Sequence, residues 1–138
     1  MIPQCSLRRA LEDPNLLDMA QPSWIAWRSL LLAVMGEQLP PQELDYFRLF
    51  TGRTDAPSKR ADEAWFVVGR RGGKTRAMAA LACYIAALCQ HSHHLARGQR
   101  GYVLIVAPDL KQAAELVSYC RGIFEAPLLR QLVDAGDC

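Results

Sequence analysis

The chain has 138 residues, 51% of them apolar, which suits one modest globular domain and excludes a disordered polymer. Sixteen Lys and Arg against 14 Asp and Glu leave a formal charge of +2, too small to imply nucleic-acid binding by itself. The five cysteines are odd in number and include no Cys-x-x-Cys pair, so reduced thiols in a cytoplasm are expected rather than a disulfide framework. No basic start leads into an apolar run, as a signal peptide requires. The longest uncharged stretch, 77–90, falls short of the ~20 residues of a transmembrane helix, so no membrane partner is expected.

Residues 1–20 are polar and mixed, with helical turns expected at 7–11 and 15–19 on either side of Pro14. A firmer helix is predicted over 22–35. Pro22 suits its first turn, Gly36 suits the position past its end, and Trp24, Trp27, Leu31 and Val34 share one face. Core packing accounts for that face; a partner or nucleic-acid surface built on the two tryptophans is the alternative. Pro41 opens another helix, which runs to about Thr51, stops at Gly52 and buries Leu44, Phe47 and Phe50. The polar stretch 52–64 reads as a linker. It divides the chain into a helical lead, 1–62, and a second unit, 63–138.

The second unit opens on Trp65-Phe66-Val67-Val68, a short aromatic and β-branched run that predicts a buried strand. Gly69-Arg70-Arg71-Gly72-Gly73-Lys74-Thr75 follows, and then an alanine-rich helix over 77–90. Strand, glycine loop, Gly-Lys-Thr and helix in this order form a phosphate-binding P-loop pattern. Glycines let backbone N–H groups turn inward around an anion, and the helix end adds its free N–H groups and positive dipole. Gly69, Gly72, Gly73, Lys74, Thr75 and Arg76 are therefore the candidate ATP-binding residues. Lys74 would reach the β- and γ-phosphates, and the Thr75 hydroxyl would bind Mg²⁺. Arg70, Arg71, Lys74 and Arg76 lie within seven residues with no acid among them, a conflict with the helix dipole that a bound polyphosphate relieves. The usual motif has Gly where Val68 stands, so the loop is a variant.

Downstream, His91, His93 and His94 with Cys89 raise a metal site, although a solvated helix end explains them equally well. The continuous apolar run 102–107 predicts a second, parallel strand covered on both faces, completing a βαβ unit. Asp109 then caps a helix to about Cys120, with Gln112 closing a capping box. Pro127 opens a last short helix over 128–133, and 135–138 reads as a frayed end.

The variant loop after Trp-Phe-Val-Val resembles the ATPase motif of the large terminase subunits of tailed bacteriophages, the motors that package DNA. Leu44-Asp45-Tyr46-Phe47-Arg48-Leu49-Phe50-Thr51-Gly52-Arg53 upstream and Gly101-Tyr102-Val103-Leu104-Ile105-Val106-Ala107-Pro108-Asp109 downstream also resemble that family, so the likeness spans roughly 39–122. It implies an α/β fold: a P-loop NTPase-type parallel sheet with flanking helices, incomplete here, preceded by a helical N-terminal segment. It implies the N-terminal part of an ATPase domain, with Lys74 and either Arg70 or Arg71 as catalytic groups, an arginine acting as an internal finger. Gln38 and Gln42 become candidates for the adenine contact. The implied cofactors are ATP and Mg²⁺. The implied partners are double-stranded DNA, the small terminase subunit and the portal, in the cytoplasm of a bacterial host. No later apolar run ends in Asp-Glu and no nuclease acid cluster follows. The expectation is therefore the front portion of such a protein, binding nucleotide without efficient turnover. Unpaired strand edges also lead one to expect self-association. A helicase-like P-loop motor and a truncated, non-catalytic nucleotide-binding chain are the alternatives.

Overall fold

In the computed structural model of the chain, residues 1–132 are described. Helix α1, Leu7–Glu12, starts at Ser6, whose hydroxyl accepts from the Arg9 amide. Residues 22–24 make one 3-10 turn that leads into α2, Ile25–Val34. Helix α3, Pro41–Thr51, has proline in its first turn and ends on Gly52 at φ 68°. That left-handed cap is the role a glycine fills with least strain. Helix α4 spans Lys74–Ala87 and α5 spans Leu110–Phe124. At the start of α5 the Asp109 carboxylate accepts from the Gln112 amide at 2.8 Å and from the Gln112 side chain at 2.9 Å. The Gln112 side chain thus returns to the capping carboxylate rather than to the capping amide. Residues 15–19 form turns rather than a helix, and the last short element is a 3-10 turn at 130–132. Val133, the expected end at 135–138 and Cys138 lie outside the described residues.

The predicted parallel sheet does not form. Helix accounts for 47% of the described residues, and the sheet among them is a two-stranded antiparallel pair, β1 (Ile2–Pro3) with β2 (Cys89–Gln90). Residues 65–69 and 101–107 form neither strand nor helix, and none of their backbone groups bonds to another backbone group among the described residues. Their side chains alternate as a strand's do. Phe66 and Val68 pack on the core while Trp65 and Val67 are bare, and Tyr102, Leu104 and Val106 are bare as well. An apolar β-branched run becomes a strand only beside another strand, and among the described residues neither run pairs with one. The βαβ unit is withdrawn with the sheet.

Helices bury one another instead. Leu7, Ala10 and Leu11 of α1, Trp27, Leu31 and Leu32 of α2, and Ala77, Ala80, Cys83 and Tyr84 of α4 form one cluster with Leu17, Met19, Cys89 and Leu129. Alanines at 77, 79 and 80 make α4 slim enough to sit inside it. Helix α5 lies along α4 through Cys120, Ile123 and Phe124. A buried ionic knot fastens α3 to the front of the chain. Glu43 receives both terminal nitrogens of Arg8, at 2.7 and 3.1 Å, and lies 3.5 Å from Arg28 Nε. The Arg28 Nη1 donates to the carbonyls of Met19, Ala20 and Gln21. The Glu37 carboxylate accepts the Leu7 and Arg8 amides and so caps α1 from a distance. No helix among the described residues is long and apolar enough to cross a membrane.

Candidate functional site

The Gly-rich loop leaves the apolar stretch at Gly69 and becomes α4 at Lys74. Two of its residues are left-handed, Arg71 at φ 62° and Gly73 at φ 75°. A left-handed arginine is an uncommon conformation that folds pay for chiefly at functional sites. Gly72 is required for a different reason, because a Cβ there would run into the Val68 side chain. Gly69 has open space around it and ordinary φ. The backbone N–H groups of Gly73, Lys74, Thr75 and Arg76 have no acceptor among the described residues, and α4 has neither a capping side chain nor an acid in its first turn. Unspent donors at a helix start beside a left-handed turn form a concavity suited to an anion.

Gly69, Gly72 and Gly73 lie in the turn before α4, and Lys74 and Thr75 open the helix. Arg70, Arg71 and Lys74 are exposed and form no ion pair among the described residues. Arg76 is placed otherwise. Its guanidinium donates to the Asp18 carbonyl at 2.7 Å, lies 3.9 Å from the Asp18 carboxylate and sits 5.0 Å over the Trp24 ring. Its amide stays with the loop while its charge faces α2. Gln38 and Gln42 are exposed and lie away from the loop, and the Gln38 carbonyl accepts from Arg8.

The loop's floor is made by tryptophans distant from it in sequence. The Trp27 indole N–H donates to the Gly72 carbonyl at 2.7 Å, and its ring meets Phe66 at 5.6 Å between centroids. A Cβ on Gly73 would stand 3.0 Å from the Trp24 ring and 3.3 Å from Trp27 Nε1. The two tryptophans expected to fill the core therefore carry the loop. The available signal was chemical: a buried indole N–H needs an acceptor, and an apolar helix face supplies none. Beside the loop opens a cleft of about 800 Å³, walled by Trp27, Leu30 and Val34 of α2, Phe47 and Phe50 of α3, and residues 63–69. Gly69 and Gly72 form part of its lining.

Comparison with known proteins leaves the site to its own chemistry. No family model, no curated protein and no solved structure matches this chain.

The remaining candidate groups lie elsewhere. The His93 and His94 rings lie 4.0 Å apart at a 48° tilt and both face the Met1 amine, while His91 bonds the Ile85 carbonyl. Among the described residues no three His, Cys, Asp or Glu side chains gather as a metal site would need. Behind the site, Cys83 of α4 lies against Cys120 of α5, its sulfur 3.8 Å from the Cys120 carbonyl. The neighbouring Cys120 thiol, together with burial, pushes the Cys83 thiol up, and the Cys83 thiol draws Cys120 below the ordinary thiol range. Burial pushes Cys5, Cys89 and the Tyr84 hydroxyl up. The Tyr84 hydroxyl donates to the Cys5 carbonyl at 2.8 Å.

Proposed function

We propose that this chain binds Mg²⁺-ATP at the Gly69–Thr75 loop, as the ATP-binding front of a phage DNA-packaging ATPase of the terminase large-subunit type. The observation that carries the reading is the run of four unspent amides, 73–76, opening a 14-residue helix beside three unpaired cations. A polyphosphate satisfies both the donors and the charge. In this reading Lys74 neutralises the β- and γ-phosphates. The Thr75 hydroxyl takes Mg²⁺, and Arg70 or Arg71 balances charge that develops on phosphoryl transfer. The apolar cleft beside Gly69 and Gly72 gives the base an aromatic wall. Double-stranded DNA, the small terminase subunit and the portal would be the partners of the working motor, in the host cytoplasm. These follow from the likeness of the loop and its flanks to that family.

The test is a calorimetric titration of Mg²⁺-ATP into the chain beside Lys74→Ala. Saturable binding that weakens at least tenfold in the variant is the expected result. A folded wild-type chain with no heat of binding at millimolar nucleotide would overturn the proposal.

A further inference from the structure

Among the described residues, the Gly72 carbonyl is the one backbone acceptor in the loop held by a side chain from outside it, and the holder is Trp27, 45 residues earlier. All peptide bonds described are trans, so the carbonyl of residue 72 and the amide of residue 73 point in opposite directions across one plane. Fixing that oxygen on Trp27 therefore turns the Gly73 N–H to the side of the peptide plane away from Trp27. The same ring braces the approach to the loop through Phe66, and its nitrogen stands where a Cβ on Gly73 would press. Trp27 is itself 8% exposed and belongs to the core cluster, so the core as well as the loop holds it.

We infer that Trp27 is a positioning residue: its indole N–H sets the Gly72–Gly73 peptide plane and thereby aims the first anion-binding amide. Trp27 touches no phosphate and acts only through that plane. The inference rests on the proposed phosphate-binding reading, but the loop geometry it asserts is measurable without ligand.

Trp27→Phe keeps a ring against Phe66 and removes the donor. Its expected signature is local. Backbone ¹⁵N order parameters at Gly72 and Gly73 fall from rigid values near ~0.85 to below ~0.6, while those of α2 and α4 stay unchanged. The affinity for Mg²⁺-ATP falls about three- to tenfold, the scale of one net hydrogen bond. The global unfolding midpoint moves far less than it would for a cavity in the core. Should the variant fail to fold, the wild-type chain still decides the matter. The Trp27 indole proton should exchange at least about tenfold more slowly than that of Trp65, which is 89% exposed. Equal exchange, or unchanged order at Gly72 and Gly73 in Trp27→Phe, overturns the positioning role. Wild-type chain that binds no Mg²⁺-ATP while Trp27→Phe still loosens the loop overturns the nucleotide reading alone. Equal affinity in the two proteins, with nucleotide bound by both, overturns the positioning role and leaves the reading in place.

Discussion

Gly73→Ala separates the two demands that the loop places on one position. At φ 75° an alanine is left-handed, which costs about 1–2 kcal/mol. Alanine also stiffens the unfolded chain, which returns about 0.4–1 kcal/mol. Its methyl would then stand 3.0 and 3.2 Å from two carbons of the Trp24 ring and 3.3 Å from Trp27 Nε1, an overpacking cost of about 1–3 kcal/mol. Gly52→Ala isolates the first demand, because Gly52 has φ 68° and nothing within 4 Å of its would-be Cβ. Gly69→Ala carries neither demand. Urea unfolding of the three variants should rank them in that order. Gly69→Ala should be neutral or slightly stabilising. Gly52→Ala should lose about 1 kcal/mol, and Gly73→Ala about 2–4 kcal/mol. At about 4 °C per kcal/mol for a chain of this size, Gly73→Ala melts roughly 10 °C low. Equal losses at Gly73 and Gly52 would refute the tryptophan floor, and a neutral Gly73→Ala would refute the left-handed loop.

Two further outcomes test the frame around the site. Glu43→Ala strips the carboxylate that Arg8 and buried Arg28 share, and it should cost about 3 kcal/mol in urea unfolding; a loss under 1 kcal/mol would show that the knot contributes little. At pH 7, Cys120 should react with iodoacetamide ahead of Cys5 and Cys89. The neighbouring Cys83 thiol favours its thiolate, whereas burial raises the thiols of Cys5 and Cys89. The Cys120 rate should fall as pH drops through its lowered pKa, and Cys83→Ala should slow it at neutral pH. Peptide mass spectrometry reads each cysteine separately, and equal rates for Cys120 in the two proteins would sink the assignment.

The helices were legible wherever the chain carries its own punctuation. Pro41 and Gly52 bound α3 to the residue, Pro22 opens the 3-10 turn ahead of α2, and Asp109 with Gln112 marks the start of α5. The apolar β-branched runs at 65–69 and 101–107 stay out of the helices, as their composition disfavours helix locally, but they do not become the expected strands. The sheet was not legible, because period and composition say how a segment is shaped and nothing about which strand stands beside it. Within the site, Gly72, Gly73, Lys74 and Thr75 announce themselves because their spacing is local. The tryptophan floor, the left-handed Arg71 and the diversion of Arg76 to Asp18 all depend on contacts between distant parts of the chain. A linear pattern does not hold that information. Phe50 shows the same limit on a smaller scale: its helical spacing predicts burial, yet it is 58% exposed, stacks on Tyr46 and walls the cleft.

The bond from Trp27 to Gly72 also decides what could be moved to another scaffold. Residues 69–76 look like a self-contained cassette in the sequence, but the conformation they adopt is braced by a helix that begins more than forty positions earlier. Grafting the loop and α4 alone would transfer the glycines and the cations while leaving the Gly72 carbonyl free to rotate. A working transplant has to include Trp24 and Trp27 at their one-turn spacing, together with Phe66 on the approach. By the same logic, a circular permutation that opens the chain in the polar stretch between α3 and Trp65 would leave the brace and the loop each intact, because that join crosses neither of them.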